Sequence, residues 1–140
     1  MTKVLVHPSN LFKTFKKYIA ILLFMGFLEL LWGNLILYIN HLTSFQKLYL
    51  NVEDLYYFIN IYSMNSILHS FYIILASLFS YFLRSKQWFR SALIFNLFPF
   101  IGFLFGMIQI PIAVIILKKI QTKQWEAFFI NYDDFSSMNI

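Results

Sequence analysis

The sequence predicts an all-α, polytopic integral membrane bundle of three to four membrane segments, and three observations lead there. Hydrophobic residues make up 60% of the 140 and charged residues only 12%, against about a quarter charged in ordinary soluble domains. A single domain of this length keeps much of its surface wet, so it has no interior large enough to hide so much apolar surface, and lipid must cover it. The lysines and arginines flank the apolar runs instead of forming a stripe of their own, as membrane anchors do.

That placement gives the net charge of +5 its meaning. The partner it predicts is the lipid bilayer and not a nucleic acid. Cysteine is absent, which excludes disulfides, thiolate metal sites and a cysteine nucleophile.

Residues 1–17 lead in. Ser9 or Asn10 can cap a helix. Leu11, Phe12, Phe15 and Tyr18 then share one face, with Lys13, Lys16 and Lys17 on the other. The basic and apolar runs are both long and no A-x-A site follows, so a cleavable signal peptide is not expected. The first span is read at about 18–39, roughly 33 Å of helix against a ~30 Å hydrocarbon core. Gly26, Glu29 and Gly33 lie on one of its faces, with Asn40 a heptad beyond Gly33. Small residues let a second helix approach closely, and a carboxyl on that face points at protein. Leu22 and Leu35 are expected to face lipid or to tolerate a change of volume.

Residues 41–63 form the first loop. Asn51 followed by Glu53 and Asp54 is a helix start, and Leu48, Val52, Leu55, Ile59 and Tyr62 keep helical spacing. The expectation is a short extracytoplasmic amphipathic helix; the simpler alternative extends the next span outward. That span is read at about 64–83. Ser66, Ser70 and Ser77 share a stripe, which together with Gly26 and Gly33 makes the candidate helix-packing face.

The stretch from residue 84 to 119 is uncharged inside, with basic ends and two prolines, Pro99 and Pro111. Segments are expected at about 88–106 and 107–118, as one kinked crossing or as a hairpin turning between residues 99 and 106. Charge decides between them. Lys16 and Lys17 put the N-terminus in the cytoplasm, while Glu53 and Asp54 put the first loop outside. Arg84, Trp88 and Arg90 anchor the return, and Lys118 and Lys119 also favour the cytoplasm. Only the hairpin satisfies all of them. A tail follows over residues 120–140, where Trp125, Phe128 and Phe129 are expected at the interface and Asp133 and Asp134 in a mobile end.

Arg84, Trp88 and Arg90 at a basic turn, followed by an apolar run broken at Gly106 and Pro111, resemble a pattern in the C-terminal half of small uncharacterised four-helix bacterial inner-membrane proteins. The order of the break differs, since those proteins tend to place Pro before Gly. The resemblance implies a topology and a bacterial inner-membrane location, and no activity.

Glu29 is the sharpest candidate residue. A carboxylate in hydrocarbon is costly, and no Lys or Arg lies in a span to pair with it, so it is expected to be neutral or hydrogen-bonded to another helix. Counting ~1.5 Å per residue, Glu29 is about 18 Å from Lys17 and His69 about 22 Å from Arg84, which puts the two at similar depth. A Glu29–His69 pair could relay protons. The plainer readings are a polar packing contact for Glu29 and a bond from His69 to Ser66 or a backbone carbonyl. Asn34, Asn65, Asn96 and Gln109 are expected in interhelical hydrogen bonds. No histidine spacing, acidic cluster or nucleophile set points to a metal, a cofactor or catalysis.

The leading expectation is therefore a non-enzymatic membrane component that acts by helix packing with a protein partner or a second copy of itself. The alternatives are proton or ion handling by Glu29 and His69, and an immunity-type protein against a membrane-active toxin.

Overall fold

Proline is tolerated in the first turn of a helix because the N–H it lacks has no partner there. The chain uses Pro8 in this way. Helix α1 runs unbroken over Pro8–His41 and absorbs the lead-in, so neither Ser9 nor Asn10 is its cap. The computed structural model describes residues 8–42, 53–98 and 102–130. The remaining helices are α2 (Glu53–Phe82), α3 (Lys86–Phe95), α4 (Gly102–Ile120) and α5 (Lys123–Ile130). No strand occurs among the described residues. Two stretches, Asn10–His41 and Leu55–Phe82, are long and apolar enough to cross a membrane.

Helices α1 and α2 pack along their length as an antiparallel pair, and two glycines set how close they come. A Cβ on Gly26 would meet Ile74 Cγ1 at 2.8 Å and the Ser70 carbonyl at 3.4 Å. A Cβ on Gly33 would meet Ile67 Cγ1 at 2.9 Å, with the Ser63 carbonyl and the Ser66 hydroxyl both at 3.2 Å. Ser66, Ser70 and Ser77 are fully buried. Ser70 donates to the Ile67 carbonyl (2.6 Å) and Ser77 to the Ile73 carbonyl (2.7 Å). The stripe thus offers α1 small, flat surface, with the protons of these two hydroxyls directed into α2 itself. Leu22 also lies in this interior, fully buried in the core, and corrects the expectation that it faces lipid. Leu35, 48% exposed, does not pack there.

Among the described residues no separate amphipathic helix precedes α2. Helix α2 runs without interruption from Glu53 to Phe82, so the aromatic segment is the first part of that one helix. No proline or glycine separates the two parts, and Ser63 at the junction donates to the Ile59 carbonyl at 2.7 Å, within the helix. This first part is docked on α1. Asn40 Nδ2 donates to Asn60 Oδ1 (2.9 Å) and towards the Tyr56 carbonyl (3.3 Å), while Tyr56 Oη and His41 Nδ1 share a 3.2 Å hydrogen bond. Asn51, proposed as the helix cap, lies outside the described residues.

The reversal after α2 takes three residues. Arg84 adopts a left-handed conformation (φ 53°), which a chain leaving a helix commonly needs. Ser85 then caps α3, its hydroxyl accepting from the Trp88 N–H. Helix α3 ends at Phe95, well short of the segment expected over 88–106. Asn96 is the reason: its side chain donates to the Ala92 carbonyl (2.7 Å) and its backbone N–H to the same atom (3.2 Å). The N–H groups of Leu97 and Phe98 then turn back to Ile94 and Phe95. Pro99 lies outside the described residues. Pro111 sits inside α4 without ending it.

Helix α5 corrects the reading of the tail. Trp125 and Phe128 are buried and close the core at this end. Phe15 packs against Phe89 and Phe128, with ring centroids at 5.3 and 5.6 Å, and Tyr18 stacks on Trp125 at 5.8 Å. Their spacing on a short helix buries one side, which an apolar count alone cannot tell from an interfacial rest. Phe129 is half-buried against the same cluster. Lys16, Lys17, Arg84, Arg90, Lys118 and Lys119 are exposed, and Trp88 is half-buried against Phe79. Because α5 and the end of α4 pack with the start of α1, all these anchors belong to one end of the bundle. Asp133 and Asp134 lie outside the described residues.

Candidate functional site

Glu29 comes from the middle of α1, on the face it shares with Gly26 and Gly33. Because both glycines let α2 approach, the carboxyl is delivered into the helix interface and is fully buried. His69 reaches it from α2, 8% exposed. Glu29 Oε1 and His69 Nδ1 lie 2.8 Å apart, within hydrogen-bond distance. The Ser66 hydroxyl is 3.5 Å from the Glu29 carbonyl, at the edge of bonding. His69 therefore meets Glu29.

The opposite side of the imidazole is closed by α3. Phe95 stacks on the His69 ring at 5.4 Å and on Tyr72 at 3.9 Å. The Tyr72 and Ser91 hydroxyls are hydrogen-bonded, which ties α3 to α2 a turn below. The last residue of the short helix is thus one wall of the site. Nothing in the apolar run from residue 91 to 98 distinguishes Phe95 from its neighbours, so sequence reasoning could not have found it.

The arrangement has a clear chemical capacity. With Glu29 ionised, His69 Nδ1–H donates to it; with both groups neutral, the carboxyl O–H can donate to a bare Nδ1. One proton can occupy either side of the same short contact, and the surroundings are apolar or weakly polar.

A second buried polar pair lies next in the chain. Gln109 Nε2 of α4 donates to Asn96 Oδ1 at 2.7 Å, joining α4 to the C-terminus of α3. Gln109 Oε1 is buried with no hydrogen-bond partner among the described residues. Asn34 and Asn65 behave differently from expectation: both are exposed, and Asn34 bonds within α1 to the Leu30 carbonyl (2.8 Å). No group of three or more metal-binding side chains occurs among the described residues.

Fold and site together define an all-helical chain in which two long apolar helices enclose a carboxyl–imidazole pair, walled by a half-length third helix. Comparison with family models, with curated proteins and with solved structures finds no match for it.

Proposed function

We propose that the chain is a small polytopic protein of the bacterial inner membrane that handles protons through the buried Glu29–His69 pair. The carrying observation is the 2.8 Å contact between two titratable groups at 0 and 8% exposure. Such groups inside a membrane are expensive, and proton relays are a recurrent reason for keeping them. The reading is not of an enzyme and calls for no cofactor. Packing against a protein partner is less well supported, since Gly26 and Gly33 are used between α1 and α2 within the chain. In reconstituted liposomes under an imposed potential, the wild-type chain should carry proton flux above empty vesicles, and Glu29→Gln should reduce it to background. Equal flux in both would remove this function.

The same proposal places both termini in the cytoplasm, the side that Lys16, Lys17, Lys118 and Lys119 favour. Helix α3 has 10 residues, or about 15 Å, and cannot cross a ~30 Å core; α4 has 19, or about 28 Å. Both begin or end among the basic anchors, so they suit a re-entrant hairpin sheltered by α1 and α2. A reporter fused after Ile140 should be active in the cytoplasm. One active only outside would establish a single kinked crossing.

A further inference from the structure

At the basic end, α3, α4 and α5 leave a small cleft that the proton-handling reading does not use. It is about 120 Å³, lined by Lys86, Arg90, Leu117, Ile120, Gln121 and Glu126. We propose that it is a phosphate site that holds the headgroup of an anionic phospholipid.

Lys86 and Arg90 are four residues apart on α3, so both side chains project over the same face. The facing wall is the last turn of α4. Ile120 is buried in the core and Leu117 packs against it, which gives the cleft an apolar side beneath a cationic rim. A phosphate fits this shape: its oxygens take the guanidinium of Arg90 as a bidentate partner and Lys86 as a point charge. At about 120 Å³ the cleft has room for a phosphate group. The positive end of α3 lies at the same level and adds to the attraction.

Glu126 is the opposing charge, and it explains why the rim is not simply a cationic surface. Its Oε1 lies 3.2 Å from Lys86 Nζ, with both side chains partly exposed. The pair holds Lys86 over the cleft while Arg90 is exposed and makes no ion pair among the described residues. The two cations and one carboxylate leave one net positive charge, matched to a phosphodiester. A free phosphate has no use for the apolar wall; a phospholipid does, because its glycerol and first methylenes leave the cleft along Leu117 towards the lipid-facing side of α4.

The site rests on the membrane reading and not on Glu29. The test is native mass spectrometry of the full chain in mild detergent, with phosphatidylglycerol, phosphatidylcholine or inorganic phosphate as the probe. Wild type should retain phosphatidylglycerol about fivefold over phosphatidylcholine, the scale of one basic side chain near an anionic headgroup. Arg90→Gln should abolish that preference, while Glu126→Gln, which releases Lys86, should increase retention. Lys13→Gln, exposed on α1 away from the cleft, should leave the preference intact. Equal loss in the Lys13 and Arg90 variants would show diffuse charge and overturn the site. Inorganic phosphate displacing the lipid at comparable concentration would overturn the lipid assignment. A chain that stays monodisperse without detergent would instead remove the membrane reading itself.

Discussion

Glu29→Leu should destabilise the bundle by about 3 kcal/mol, and Glu29→Leu combined with His69→Phe should cost less than the sum of the two single changes. The first figure follows from leaving His69 buried opposite a group that cannot bond to it: stranding one member of a buried hydrogen-bonded pair costs its desolvation penalty, and about 3–5 kcal/mol when a charge is left behind. Replacing both partners by apolar groups of similar size removes that penalty. Phe at position 69 would also keep a ring facing Phe95, which now lies 5.4 Å from the imidazole. The expected coupling is about 1–3 kcal/mol, the range for residues in direct contact. It is read from unfolding of the four proteins of the cycle in the same detergent. Additive losses would show that the 2.8 Å contact contributes no coupling energy.

Gly33→Leu should be nearly as damaging, at about 3 kcal/mol, and Leu35→Ala should fall within about 0.5 kcal/mol of wild type. The neighbours decide this. A Cβ at position 33 would already lie 2.9 Å from Ile67 Cγ1 and 3.2 Å from the Ser63 carbonyl. The isoleucine can rotate away, but the carbonyl belongs to helix backbone and cannot. A leucine therefore has to separate α1 from α2, which also lengthens the Glu29–His69 contact one turn away. Leu35 is half exposed and fills no space between helices. Thermal unfolding in detergent compares the two variants directly; equal midpoints would mean that the helices do not meet at Gly33.

The features that depend on spacing along one helix were legible in the sequence. The Gly26, Glu29, Gly33 and Asn40 face, and the serine stripe at Ser66, Ser70 and Ser77, follow from 3.6-residue periodicity alone. Depth counted from the basic anchors also puts Glu29 and His69 level. Leu22 could have been placed by the same periodicity, since it stands four residues before Gly26 and is in the core. Leu35, two residues past Gly33, falls on another face and is half exposed. What periodicity cannot rank is the choice among apolar neighbours. Trp125 and Phe128 are as suited to a headgroup region as to a core, and become core because Phe15 and Phe89 lie opposite. The end of α3 at Asn96 escaped notice because Pro99 and Gly102 are the stronger breakers by residue type, whereas the side-chain bond of Asn96 to Ala92 acts earlier.

The half-length of α3 bears on the order in which the chain can be assembled during synthesis. A 10-residue helix is too short for the insertion machinery to release into lipid alone, and its frayed end would meet hydrocarbon with open carbonyls. It has somewhere to go only once α2 is in place, because His69 and Tyr72 of that helix form the surface on which Phe95 comes to rest. The first two helices contain all the contacts needed to pair with each other, and they leave the ribosome first. On the membrane reading proposed above, biogenesis is ordered: the helical pair α1–α2 forms early, the short segment α3 enters the shelter that it provides, and α5 closes the core after α4.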